Sequence, residues 1–202
     1  MSILSGVSSF FGLDIGTTGI RLVELRGSGP TRSLVKYAYV PIDIKLAQSD
    51  SKADKQKLAQ VLSNLVSEAR LSTRNVAVGL PSSRVFTTVV DFDRVPESEL
   101  GKAIRYQAES LIPTPLADSK IDWAVVGDSP KDKTKIEVLI SSIANNFVEQ
   151  RLDMIESVGL NVIAFEPDNL AISRALVPSG TTAPQLILDM GQLSTDLVIT
   201  MA

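Results

Sequence analysis

Apolar positions along the chain alternate between short β-like runs and longer stretches with helical spacing. Residues 10–15 are apolar up to a cluster of turn formers, Asp14-Ile15-Gly16-Thr17-Thr18-Gly19. Apolar character resumes over 20–26 with Leu22, Val23 and Leu25, and 33–40 is β-branched and aromatic enough for a third strand. Residues 27–30, Gly-Ser-Gly-Pro, read as the hairpin connection between them, and 50–54 as a polar loop. Leu58, Val61, Leu62, Leu65, Val66 and Ala69 then recur every three or four residues, which predicts one buried helix face. Asn75–Leu80 reads as a short buried strand stopped by Pro81. The unit so far is β-β-β-α-β.

A second pattern begins near Ser83. Residues 85–92 read as a strand, and Pro96 with Glu97 and Glu99 marks a helix start. That helix runs to about Leu111 and is stopped by Pro113 and Pro115. Strands over 121–126 and 136–143 flank a solvated, charged tip carrying Lys131, Asp132, Lys133 and Lys135. Asn145 or Asn146 caps a helix with Val148, Leu152, Ile155 and Val158 on one face, closed by Gly159. A strand over 160–165 completes a β-α-β-β-α-β module; Trp123 and Tyr106 would mark either a protein interface or, as the expectation favours, its core. Pro167 then opens a helix to Leu176, 178–184 is loop, and 185–189 and 196–201 read as strands. No helix follows to cover this last hairpin.

The first and last hairpins echo one another. Each has an apolar strand, then Asp-apolar-Gly, a hydroxyl-bearing turn and a second apolar strand: Asp14-Ile15-Gly16-Thr17-Thr18 and Asp189-Met190-Gly191-Gln192-Leu193-Ser194-Thr195. A glycine there lets the backbone adopt positive φ and aim successive N–H groups into one concavity, a phosphate cradle. Thr17, Thr18, Ser194 and Thr195 add hydroxyl donors, and Asp14 and Asp189 stand where Mg²⁺ would need oxygen ligands. Neither Gly-x-Gly-x-x-Gly nor Gly-x4-Gly-Lys-Ser/Thr occurs.

Composition narrows the chemistry. At 202 residues, with 44% hydrophobic and 21% charged residues, the chain can build a folded core. It contains no cysteine and no histidine, which excludes disulfides, thiol nucleophiles, zinc-finger spacings and histidine-based catalysis. Net charge is −3, and from Ile136 onward two basic residues face eight acids. No basic stripe with interleaved aromatics points to nucleic acid. No apolar run reaches the ~20 residues that cross a bilayer. The N-terminal stretch lacks a basic n-region and reads as a short tail entering a strand, placing the chain in the cytoplasm.

The run Phe11-Gly12-Leu13-Asp14-Ile15-Gly16-Thr17-Thr18-Gly19-Ile20-Arg21 resembles the first phosphate loop of the superfamily of actin, heat-shock chaperones and sugar kinases. Residues 189–196 resemble its second phosphate loop, and Glu166-Pro167 its first connecting segment. With Val95-Pro96-Glu97-Ser98-Glu99-Leu100, Ala103-Ile104-Arg105-Tyr106-Gln107-Ala108-Glu109 and Ile112-Pro113, the chain resembles the actin-like PilM family of type IV pilus assembly proteins, which is similar in layout to FtsA.

The resemblance implies an α/β fold, with an actin-like, ribonuclease-H-type subdomain 1A over residues 1–82 and 165–183. Subdomain 1C would be the inserted β-α-β-β-α-β module over 83–164, and 184–202 would supply only the first hairpin of 2A. It implies ATP and Mg²⁺ as cofactors. Asp14, Gly16, Thr17, Thr18, Arg21, Asp189, Gly191, Ser194 and Thr195 would contact the nucleotide, Asp14 and Asp189 the metal, and Glu166 would orient the attacking water. The implied partners are the PilN N-terminal peptide in a 1A/1C groove, the pilus motor ATPases and further copies of the chain. Membrane contact would come only through partners at the inner membrane, and turnover would be that of a weak ATPase at most. A sugar or acyl kinase would need a catalytic base in the inserted module, where none stands out. An FtsA-like membrane-tethered filament would need an amphipathic C-terminal helix.

Overall fold

The computed structural model describes residues 9–27, 31–49, 51–178 and 180–200. The chain divides into two compact units, Met1–Ser82 with Arg151–Ala202, and Ser83–Gln150. The first is built on strands β1 (Phe11–Ile15), β2 (Gly19–Arg26), β3 (Ser33–Pro41), β4 (Asn75–Leu80) and β8 (Asn161–Pro167), in spatial order β3-β2-β1-β4-β8. The three antiparallel strands at one side give way to parallel pairing of β1 with β4 and of β4 with β8. The hairpin connection expected at 27–30 falls mostly on residues outside those described.

The period-2 alternation of β1, β2 and β4 places Phe11, Leu13, Ile20, Leu22, Val76 and Val78 on one face of this sheet. Helix α2 (Lys52–Ala69) covers that face with Leu58, Leu62, Leu65 and Val66. Each such fully buried Leu, Ile or Phe contributes about 1.5–3 kcal/mol. The helix starts inside the stretch expected to be loop, because Ser51 caps it by accepting the Asp54 N–H at 3.1 Å. The Ser49 and Ser51 hydroxyls return bonds to the Asp54 carboxylate, and these with Lys57 hold its pKa down at about 2. A short helix α1 (Ile44–Gln48), capped by Asp43, precedes it and breaks no apolar period in the sequence.

The second unit is a three-stranded antiparallel sheet in the order β5-β7-β6, from β5 (Val85–Asp93), β6 (Ser119–Asp128) and β7 (Lys135–Ala144). Helix α3 (Glu97–Leu111) seals one face with Leu100, Ile104 and Ala108 against Phe92, Val138 and Ile140. Helix α4 (Asn145–Ser157) leads out of this unit, and its Met154 and Ile155 belong to the first core. Asn145 is no cap: its amide donates to the Ala117 carbonyl at 3.0 Å, and its Oδ1 accepts no hydrogen bond among the described residues. The strand expected to close the inserted module, β8, instead pairs with β4 in the first sheet. Its short apolar run carries no mark of which sheet it joins, and parallel pairing with β4 half-buries it there. Tyr106, expected in the core, is 82% exposed, and Trp123 is 37% exposed.

Helix α5 (Asp168–Leu176) follows β8 directly, and the chain ends in the antiparallel hairpin of β9 (Gln185–Met190) and β10 (Thr195–Thr200), a separate two-stranded sheet within the first unit.

Candidate functional site

The echo seen in the sequence is an echo of hydrogen bonding. In the first hairpin the Gly16 N–H donates to the Gly19 carbonyl at 3.0 Å; in the last the Gly191 N–H donates to the Ser194 carbonyl at 2.9 Å. Ile15 pairs with Ile20, and Met190 pairs with Thr195, so each connection spans four residues closed by one bond. The reason for the glycines differs from the expected one. Neither Gly16 nor Gly191 has positive φ. A Cβ on Gly16 would approach the Arg21 guanidinium at 3.1 Å and Asp14 Oδ2 at 3.5 Å, so that glycine leaves room for an ion pair. A Cβ on Gly191 would meet the Ser194 carbonyl oxygen at 3.2 Å, so this glycine admits the turn's own closing strand.

Arg21 Nη1 donates to Asp14 Oδ2 at 2.9 Å, directly across the β1–β2 pair. Its guanidinium also lies 5.4 Å from the centre of the Tyr39 ring. That ring packs against Gly19, where a Cβ would stand 2.3 Å from it. The hydroxyls of Thr17 and Thr18, at the tip, make no hydrogen bond to protein among the described residues, and neither do those of Ser194 and Thr195. They remain open as donors, where turn stabilisation would have used them.

The residue that ties the elements together is one that sequence reasoning passed over. Asp168 opens α5, two positions after Glu166, and its Oδ1 lies 2.5 Å from where a Cβ on Gly79 would stand. Its carboxyl is pushed up to about 7, first by burial and then by the charges of Asp14, Asp196, Asp189 and Glu166. A helix N-terminus favours a carboxylate, so burial and these neighbours together outweigh the dipole. The signal was present as a first-turn acid in Glu166-Pro167-Asp168, but spacing alone did not separate it from an ordinary helix-start acid.

Asp14, Glu166 and Asp189 are thus brought around one carboxyl, and Asp196, the cross-strand neighbour of Asp189, joins them. Glu166 lies beside Gly79 in register and forms an ion pair with Arg174 Nη1 at 2.5 Å, an approach without an aligned hydrogen bond. Five carboxyl groups face two arginines, Arg21 and Arg174, so the cluster is short of positive charge. Among the described residues no group of three or more acids is placed to hold a metal ion alone. One or two carboxylates with water and phosphate oxygens is the ordinary set for Mg²⁺.

Three antiparallel strands leading into two parallel ones, an inserted α/β unit and a second copy of the first turn define an actin-like ATPase fold. A protein of that fold and of unknown function from Bacteroides thetaiotaomicron superposes with TM-score 0.50 at 10% identity, over 100% of this chain and 68% of its own. The cytoplasmic domain of EpsL, an inner-membrane component of the type II secretion system of Vibrio cholerae, superposes with TM-score 0.58 at 16% identity, over 95% of this chain and 71% of its own. The PilM-PilN type IV pilus biogenesis complex contains a chain that superposes with TM-score 0.80 at 26% identity. That match covers 95% of this chain, which spans 57% of its counterpart. The family profile of the Type IV pilus assembly protein PilM matches residues 12–200, and the chain belongs to that family.

Proposed function

We propose that this chain acts in type IV pilus assembly as a nucleotide-responsive binding protein, with the Asp168 cluster as its Mg²⁺–ATP site and the cytoplasmic tail of PilN as its peptide partner. The two units correspond in this reading to subdomains 1A and 1C, and the last hairpin to the opening of 2A. The observation that carries the nucleotide reading is the shared electrostatic reach of both hairpins onto Asp168. A cluster with excess negative charge repels bare triphosphate and accepts it only with a divalent cation. Asp14 and Asp189 are the groups to hold that ion, and the unbonded hydroxyls of Thr17, Thr18, Ser194 and Thr195 the groups to reach phosphate oxygens. Asp168, which titrates near neutrality and lies two residues from Glu166, is matched to hold the proton of an attacking water. The PilN reading is supported by the similarity to the PilM chain of the PilM-PilN complex. Among the described residues no helix is long and apolar enough to cross a membrane. Contacts with the pilus motor ATPases and with further copies of the chain belong to the same reading.

Calorimetric titration with ATP tests this, run with Mg²⁺ and with chelator. Saturable heat with Mg²⁺ that disappears with chelator, and in Asp14→Ala and Asp189→Ala, is the expected result. Equal affinity without the metal, or in both variants, would overturn the assignment. A PilN tail peptide titrated separately should bind whether or not the Asp variants do, and absence of any heat removes the partner from the proposal.

A further inference from the structure

Strand β6 is an edge of its sheet, and natural proteins usually guard such edges with charges, proline or a bulge. Its guards are partial. Lys120 and Asp128 sit toward its ends, Asp122 adjoins Trp123 and accepts its backbone N–H at 2.9 Å, and a bulge falls between Val125 and Gly127, yet the central Trp123-Ala124-Val125-Val126 is uncharged and exposed. Beside it runs a groove of about 320 Å³ between β6 and α3, lined by Gly101, Lys102, Ile104, Arg105, Ile121 and Trp123. Two features of that groove have no role in folding. Gly101 lies in the interior of α3, where glycine costs roughly 0.5–1 kcal/mol against alanine. Its φ is not positive, and the nearest atom to an added Cβ, on the Trp123 ring, is 3.8 Å away, so neither backbone nor packing requires it. What it does is leave the ring face open. Lys102 and Arg105, one turn apart, stand at the rim with no ion-pair partner among the described residues, in a chain whose net charge is −3.

An exposed strand edge beside a helix, with a pocket between them, is the arrangement that takes an extended peptide as an added strand. Main-chain bonds run along the edge, and alternate side chains of the guest enter the groove. From this geometry we infer that the β6–α3 groove of the inserted unit docks an extended acidic segment of a partner protein. One apolar side chain of the guest seats between Gly101 and Trp123, and its carboxylates meet Lys102 and Arg105. The surface is independent of the nucleotide reading and is built from the second unit alone.

Trp123 is the single tryptophan of the sequence, so its emission reports this groove alone. The probe is an acetylated peptide alternating Val and Glu around a central Phe, with a counterpart carrying Lys in place of Glu, each titrated into the full 202-residue chain. A saturable blue shift with the acidic peptide and none with the basic one is expected. Gly101→Leu, which improves helix propensity while filling the groove, and Lys102→Glu with Arg105→Glu should each weaken binding at least about tenfold. No saturable shift, equal response to both peptides, or full affinity in Gly101→Leu would overturn the inference. A shift that grows with protein concentration in the absence of peptide, alongside a dimer in sedimentation, would assign the edge to a second copy and overturn it. Displacement of the acidic probe by a PilN tail peptide would merge the two sites and overturn it as well.

Discussion

The first and last hairpins share a turn, a closing hydrogen bond and an aspartate at the same step, and differ in what stands opposite that aspartate. In the first, Asp14 faces Arg21 and forms an ion pair with it across the hairpin. In the last, Asp189 faces Asp196, two like charges directly across an antiparallel pair, an arrangement that destabilises a hairpin on its own. Their surroundings differ in the same sense. The first hairpin buries Phe11, Leu13, Ile20 and Leu22 in the five-stranded sheet. The last leaves Leu186 61% and Leu197 60% exposed, with Leu188 and Ile199 exposed on the same face, and buries Ile187. One copy of the motif is therefore self-sufficient, while the other is poised to gain from an added cation on one end and from apolar cover on the other.

The largest effect that separates them is local stability. A two-stranded hairpin is marginal in water, whereas β1 and β2 open only when the first core opens. Amides of β9 and β10 should exchange with deuterium at least about a hundredfold faster than those of β1 and β2, a gap of roughly 2.7 kcal/mol. Equal protection in both hairpins would mean the exposed leucines are covered and would break the comparison.

Next in size is the point at which the charges of the two hairpins meet. Alanine at Gly79 would put a Cβ 2.5 Å from Asp168 Oδ1, and the carboxyl must leave its place over β4. Gly79→Ala should cost about 1–3 kcal/mol in denaturant titration, and the carboxyl resonance that titrates near neutrality should move toward ordinary values. A variant of unchanged stability and titration would show that Asp168 does not lean on β4.

Asp168→Asn should act with the opposite sign, and only at the right pH. Because its folded pKa, about 7, lies above the unfolded value near 3.8, the folded state keeps a proton that the unfolded chain has already released. Stability is therefore lost as pH rises from about 4 to 7, with the penalty complete above the folded pKa. Asparagine removes it. The variant should be more stable than the parent at pH 8 by roughly 1–2 kcal/mol, allowing for screening of a half-exposed group, and equal to it at pH 4. A loss of stability at both values would show that the carboxyl is structural and the cluster electrostatically unremarked.

Much of this was legible in the sequence because the signals were local. The period of Leu58, Leu62, Leu65 and Val66 set α2, Pro96 and Pro113 bracketed α3, and Asp-apolar-Gly marked both turns. What stayed hidden depended on contacts distant in sequence. Only pairing with β4 shows which sheet β8 joins, and only the approach of α5 to Gly79 distinguishes Asp168 from any helix-start acid. The glycines of the turns were visible, but their purpose was not. A residue kept small for a neighbour's guanidinium looks the same in sequence as one kept for positive φ.

The smallest effect expected is also the most direct trial of the difference between the hairpins. Asp196→Arg gives the last hairpin the cross-strand pair of the first, opposite Asp189. Relief of like charge and gain of an exposed ion pair amount to about 0.2–1 kcal/mol. The clearer readout is remote. Asp196 is one of the charges that raise Asp168, so replacing it by a cation should lower the Asp168 titration midpoint, while Arg21→Ala, which bares Asp14, should raise it. Opposite shifts from two substitutions in different hairpins, read on the same carboxyl by NMR, would establish that both hairpins act on one site. Shifts of the same sign, or none from Asp196→Arg, would leave the last hairpin electrostatically separate from the first.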